Sequence, residues 1–194
     1  MKETYHIYVF RHGQTTYNRD KIFTGFKDAK LTSLGIKQAK IIAKKLKNKK
    51  IEVAFYTRLS RSKNTLKEVL KYHPECAKQI KDDRMIERSY GLIEGKTHDF
   101  IIKKYGKEQF DKWHRGFYDR PPKGESFEDV EKRVRVFMKD LFKFMKKNNI
   151  HNVAISASGN SIRLFRKIIE KASIQDTVKW FIPYDRVFEY SVKI

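Results

Sequence analysis

Cysteine is almost absent. Cys76 stands alone in 194 residues, so no internal disulfide can staple the chain. No basic segment followed by a short apolar run opens the sequence, and no apolar run approaches membrane-spanning length. The expectation is a cytoplasmic protein with no membrane partner. Neither GxxxxGK[ST] nor GxGxxG occurs, which removes the two common glycine-rich loops for nucleotides. The six histidines are scattered and no Cys and His cluster has zinc spacing, so no metal is expected. Acidic residues are scarce, with 23 Asp and Glu against 44 Lys and Arg and a formal net charge of +21. Such an excess draws phosphorylated metabolites, nucleic acid or acidic surfaces. Much of it lies in lysine runs such as KKLKNKK and MKKNN, which read as solvated helix faces. Aromatic residues are not interleaved with these runs as a nucleic-acid stacking surface requires. Nucleic acid is therefore not the expected partner, a small phosphorylated substrate stays among those such a charge draws, and a homo-oligomer is left open. There is no internal repeat and no low-complexity stretch, and the length suits one well-buried α/β domain spanning 1–194.

What is present is organised around Tyr8 to Asn18, YVFRHGQTTYN. An alternating β-branched and aromatic run reads as a strand, and it breaks at Arg11, His12 and Gly13. A guanidinium fork matches phosphate oxygens, and a neutral imidazole can attack phosphorus if its other nitrogen is held protonated by an acceptor. From Arg11 to Lys30 no period is visible, which predicts a long functional loop. Thr32 reads as the N-cap of a helix whose stripe is Ile36, Ala39, Ile42, Ala43 and Leu46. A strand is expected over Glu52 to Tyr56. The helix after it has Ser60 as cap and Leu66, Val69 and Leu70 as its buried stripe, which puts Arg61 in its first turn.

Helices are expected from Thr97 to Tyr105 and, shorter, through Trp113, before a stop at Pro121, Pro122 and Gly124. The region around 90–124 reads as a lid-like insertion over one end of the sheet. The clearest helix starts at Ser126, with Phe127, Val130, Val134, Phe137, Leu141 and Phe144 as its buried stripe and Asp129 at capping-box spacing. Val153 to Ala157 reads as a buried strand, Ser158, Gly159 and Asn160 as its exit, Ile162 to Lys171 as helix and Val187 to Lys193 as an edge strand. Alternating β and α elements predict an α/β three-layer sandwich, a mostly parallel sheet with helices on both faces. Ligands in such folds bind beyond the carboxyl ends of the strands, where Arg11 and His12, Thr57 to Arg61, and Ser158 to Asn160 all fall.

Taken together, FRHGQTTYN, FTGFKDAKLTSLGIKQAK, YTRLSRSKNT, ERSYGLIEGK, KYGKEQFDKWHRGF, PPKGES and SASGNSIR resemble, in order, the histidine phosphatase superfamily and within it the 2,3-bisphosphoglycerate-dependent phosphoglycerate mutases. The resemblance implies His12 as phospho-accepting nucleophile, Arg11 and Arg61 as phosphate clamps, and Glu87 as the acid and base. It places Asn18, Thr24, Gly25, Arg88, Tyr90, Arg115, Gly159 and Asn160 around phosphate or a substrate carboxylate. It implies interconversion of 3- and 2-phosphoglycerate with 2,3-bisphosphoglycerate as primer and no other cofactor. A phosphomonoester phosphatase of the same superfamily is the alternative. From a different class, the chain reads as a catalytically degenerate module that binds a phosphorylated ligand or RNA.

Three departures from the family pattern bear on this. Ser158 stands where a second histidine is usual, and losing one oriented donor to a developing anion lowers the rate roughly 10²- to 10³-fold. His98 and His114 stand where mutases place Lys and Arg, and both are expected to line the substrate pocket partly charged near neutral pH. Gln14 replaces a common Glu and removes one negative charge beside an anionic ligand.

Overall fold

The computed structural model describes residues 3–193. Strands β1 (Thr4–Arg11), β2 (Val53–Tyr56), β3 (Lys78–Lys81) and β4 (Asn152–Ala157) run parallel, and β5 (Val187–Lys193) pairs antiparallel with β1. The order across the sheet is β3-β2-β4-β1-β5. Successive side chains of a strand face opposite sides. Ile7 and Val9 therefore join one core, with Val53, Phe55, Val153 and Ile155, while Tyr8, Phe10, Ala54 and Ala154 join another. Burial on both faces is why these strands read as near-continuous apolar runs.

Helix α1 (Thr16–Arg19) is a single turn after β1, α2 spans Ser33–Leu46, and α3 spans Ser60–Leu70. Ile42, Ala43 and Leu46 of α2 and Leu66 and Val69 of α3 cover the Tyr8 and Phe10 face. Helices α4 (His98–Tyr105) and α5 (Lys107–Arg115) build the 90–124 segment. Helices α6 (Phe127–Lys147) and α7 (Gly159–Ile169) cover the other face, and α8 (Ile174–Lys179) follows. Two helix starts are fixed by local chemistry as expected. Thr32 Oγ1 accepts from Gly35 N at 3.0 Å, and Ser126 and Asp129 form a reciprocal capping box at the head of α6.

Several local expectations are corrected. The stretch from 11 to 30 is not all loop, because Thr15 and Asn18 cap each other and nucleate α1. Ile36 lies on the solvent side of α2, 42% exposed, and Leu70 and Phe144 are only partly buried at the margins of their stripes. Ser60 is not the cap of α3; Leu59 holds that position, and Ser60 instead bonds the Asp28 carboxylate through its N–H and hydroxyl. Helix α7 begins at Gly159, so Gly159 and Asn160 belong to its first turn rather than to a loop. Strand β3 and helix α8 escaped the sequence reading. The side chains of β3 are mostly exposed at a sheet edge and carry no apolar alternation.

The connection after β1 and the 90–124 segment are tied to each other. Phe23 N donates to Lys96 O at 3.0 Å and His98 N to Lys21 O at 2.9 Å. Phe23, Tyr90, Ile93, Ile101 and Phe110 form a small core of their own beneath this junction. A deep contact fixes the loop's other end: a Cβ on Gly13 would collide with the Gly35 carbonyl, so only glycine lets the turn after His12 rest on the start of α2.

Candidate active site

His12 ends up buried, 2% exposed, at the carboxyl end of β1. Its Nδ1 lies 2.8 Å from the Gly13 carbonyl. A carbonyl only accepts, so the ring proton sits on Nδ1 and the Nε2 lone pair is free. Arg61 Nε donates to that lone pair at 3.1 Å. Burial above all, then the charges of Arg61 and Arg11, hold the imidazole well below its ordinary pKa. His12 is therefore a neutral base with one defined tautomer, which is the state a nitrogen nucleophile needs.

Arg61 reaches this position because α3 starts two residues beyond the turn after β2. Its Nη1 donates to Lys27 O at 2.8 Å and its Nη2 to Gly25 O at 2.9 Å. Gly25 has φ +52, a left-handed conformation that glycine adopts without strain. Thr65, one turn along α3, accepts from Gly13 N at 3.1 Å and donates to Arg61 O at 2.8 Å. Helix α3 thus holds both Arg61 and the turn carrying His12.

Arg11 is gripped from three sides. Its guanidinium lies 3.9 Å from the centre of the Tyr184 ring, Nη1 donates to Ile182 O at 2.8 Å, and a Cβ on Gly159 would come within 3.1 Å of Cζ. Its Nε is buried without a partner. Glu87 Oε1 accepts from Arg88 N at 2.8 Å and from Asn160 N at 3.3 Å, so its side chain sits against the first turn of α7. Asn160 Nδ2 donates to Tyr90 Oη at 3.2 Å. Ser158 precedes α7 but makes no cap bond, and its Oγ is buried with no partner.

Beside these groups is a cavity of about 270 Å³ whose wall includes Arg11, Asn18, Thr24, Gly25, Glu87, Tyr90, His98, His114, Arg115, Gly159 and Asn160. Eleven residues expected at the site thus share one wall. His12 and Arg61 are buried behind it, joined to it through Gly25 and Arg11. Ser158 and Arg88 are not on the wall. Arg88 is wholly buried between the rings of Tyr90 and Phe127, at 4.5 and 4.3 Å, and donates to the carbonyl of Trp113 and to that of His114. In this position it fastens the end of α5 to the body of the protein, while its Nε and Nη1 are buried without a partner.

The pair of lid histidines is also corrected. Both line the cavity, and burial there disfavours their charged forms. His98 is lowered by burial, with Lys21 adding to it, and His114 is pushed down to about 3 by burial and the nearby Arg115. The two rings lie 5.1 Å apart, each packed on Phe23 and Phe110. Lys21 and Arg115 oppose a proton there, and Asp99 only partly offsets them at His98.

This has a measurable consequence for stability. Unfolded histidines bind a proton below about pH 6.5, whereas His12, His98 and His114 in the folded chain bind theirs only at lower pH. The stability these groups contribute is therefore complete above about pH 6.5 and declines as the pH falls below it. For His114 the decline continues toward about 3. We expect the melting temperature to drop between pH 7 and 5.5, and His114→Phe, which keeps a ring in place, to flatten that drop. An unchanged pH dependence in the variant would place the proton uptake elsewhere.

Other wall residues escaped the sequence reading: Tyr17, Lys21, Ile22, Phe23, Arg163, Phe181, Ile182 and Tyr184. Arg163 had a signal, since it follows Asn160 by one helical turn in SASGNSIR. It donates to Asn160 Oδ1 and, at 2.6 Å, to Trp180 O, and burial brings its pKa down to about 9. The 180–186 segment has no periodicity to announce it. Among the described residues no three or more His, Cys, Asp and Glu side chains converge as a metal site, and no helix is long and apolar enough to cross a membrane.

The family model described as Histidine phosphatase superfamily (branch 1) matches residues 7–190. The chain is 34% identical over 177 residues to the 2,3-bisphosphoglycerate-dependent phosphoglycerate mutase of Mesorhizobium japonicum, covering 89% of this chain and 85% of that protein. Its fold is similar to phosphoglycerate mutase from Bacillus anthracis, with a TM-score of 0.82, 19% identity and coverage of 99% of this chain and 89% of that one. It is also similar to a mycobacterial glucosyl-3-phosphoglycerate phosphatase, with a TM-score of 0.79, 23% identity and coverage of 91% and 84%.

Proposed function

The chain belongs to the histidine phosphatase superfamily, branch 1, and on that premise we propose that it transfers phosphoryl groups through a covalent intermediate on His12. The observation carrying this is the state of His12: neutral, with Nδ1–H held on Gly13 O and Nε2 facing only the Arg61 donor. Nε2 attacks phosphorus in line with the ester oxygen, the N–P bond forming as the P–O bond breaks. The Glu87 carboxyl gives the leaving oxygen its proton and later takes one from the acceptor hydroxyl, so the cycle returns the enzyme to its starting state. Arg61 Nε–H, which in the free protein satisfies Nε2, then turns to an oxygen of the transferred group, and Arg11 neutralises another.

For the substrate, likeness to a named mutase supports interconversion of 3- and 2-phosphoglycerate with 2,3-bisphosphoglycerate as primer. A second reading, phosphomonoester hydrolysis, has an observation of its own. The neutral His98 and His114 remove two cations from the wall that would retain a doubly phosphorylated intermediate, which favours its loss and attack by water. Folds like this one bear both kinds of name, so the fold alone does not choose. Incubation with 2,3-bisphosphoglycerate, intact-mass detection of a phosphohistidine, and parallel assays of mutase turnover and phosphate release test both readings. If no donor yields an adduct, the catalytic reading gives way to a binding module.

Ser158→His tests the missing imidazole. The Ser158 hydroxyl has no partner, so its replacement breaks no hydrogen bond. The added donor should raise single-turnover phosphoryl transfer roughly 10²-fold, and Ser158→Lys, which brings charge without a planar directional donor, should gain less. Equal gains would make the effect one of charge.

A further inference from the structure

The stretch from 180 to 186 belongs to no helix or strand, and basic side chains hold it. Arg163 donates to Trp180 O at 2.6 Å, Arg11 Nη1 to Ile182 O at 2.8 Å and Lys45 Nζ to Asp185 O at 2.7 Å. Two of its rings carry cations as well, Arg166 at 4.0 Å from the centre of the Trp180 ring and Arg11 at 3.9 Å from that of Tyr184. Arg11 is thus bound to this stretch twice, and it is the member of the set next to His12. What Tyr184 offers it is a ring face rather than the hydroxyl. With Nη1 spent on Ile182 O and Nε buried without a partner, the edge formed by Nε and Nη2 is the one left for a phosphoryl group, which pairs with two parallel N–H donors. Gly159 borders that edge: a Cβ there would come within 3.1 Å of Nε and 3.4 Å of Nη2, so the missing side chain leaves it room. A guanidinium pinned at one nitrogen and held over a ring has given up its swivel before substrate arrives, and its donors need no reorganisation during transfer.

We propose that Tyr184 is a positioning residue: together with Ile182 O, its ring fixes the plane of the Arg11 guanidinium and turns the Nε and Nη2 edge toward the phosphoryl group. This rests on phosphoryl transfer to His12 with Arg11 as a clamp, whichever acceptor follows, and it gives Tyr184 no contact with the reacting atoms.

The test titrates methylphosphonate, a phosphoryl-like head with no body for a wall residue to touch, into the full chain and follows its binding by phosphorus NMR. Tyr184→Leu should weaken binding roughly tenfold, the scale of a desolvated contact between a cation and a ring. Tyr184→Phe keeps the ring and should stay within about twofold of the unaltered protein. In an Arg11→Ala background Tyr184→Leu should cost nothing further, because the ring then has no guanidinium to orient. Tyr184→Met serves as the ringless variant should Tyr184→Leu not fold. Equal losses in Tyr184→Phe and the ringless variant overturn the proposal, as does a ringless variant that binds as tightly as the unaltered protein. The same loss with and without Arg11 makes the effect a merely structural one and overturns it too, and so does an unaltered protein that does not bind methylphosphonate. These readouts do not depend on catalysis. The predicted pattern without any phosphohistidine would remove the catalytic reading alone, while an adduct that forms as fast in the ringless variant as in the unaltered protein would remove the positioning role alone.

Discussion

His12→Ala should eliminate the proposed phosphohistidine adduct and lower phosphoryl transfer by about 10⁵-fold or more, the scale on which enzymes lose turnover when a covalent nucleophile is deleted. The geometry makes this stricter than a motif match would. His12 is the one imidazole with Nδ1 fixed on a carbonyl and Nε2 on an arginine donor; His98 and His114 sit across the cavity packed on Phe23 and Phe110. Loss of fold is a separate question that the same variant answers. Arg61 keeps its bonds to Gly25 O and Lys27 O, and Gly13 N keeps Thr65, so the loop retains its anchors. The far-UV spectrum and cooperative melting should persist. Intact-mass analysis after incubation with phosphorylated donors decides the point: an undiminished adduct on the variant would sink the proposed mechanism.

Arg61→Ala comes next in size, with a loss of roughly 10³-fold or more in transfer, in the range found when an arginine that neutralises a transferring phosphoryl group is removed. It also destabilises, because the carbonyls of Gly25 and Lys27 and the Nε2 of His12 all lose a buried donor. Arg61→Lys should recover little, since a single ammonium cannot serve three acceptors in the plane of a guanidinium. Arg58→Ala, three residues away, is the control. Its partner Asp83 is at the surface, with side chains 47% and 33% exposed, and such pairs contribute about 0.2–1 kcal/mol. Single-turnover rates and melting temperatures of the three variants, measured together, distinguish the clamp from its neighbour. Comparable losses at Arg58 and Arg61 would mean that the clamp has been assigned to the wrong arginine.

Part of this protein was determined by the sequence alone, because the information is local. The β-branched and aromatic run over Ile7 to Phe10 assigns a strand. The three-and-four spacing from Phe127 to Leu141, started by the Ser126 and Asp129 box, assigns α6. Arg11, His12, Arg61 and Glu87 were identifiable because each falls in a contiguous motif, at or just beyond a strand end or in the ERSYG loop, and a parallel sheet gathers its strand ends on one side. Only the tertiary structure decided the charge of His98 and His114. That charge depends on burial against Phe23 and Phe110 and on Lys21 and Arg115, which no spacing along the chain expresses. It likewise withdrew Arg88 between two rings, brought Arg163 and Tyr184 to the wall, and left Ser158 Oγ without a partner. Periodicity records which side of an element faces the core. Desolvation and the company of distant charges arise only when the elements have packed, and those two effects set the chemistry of this cavity.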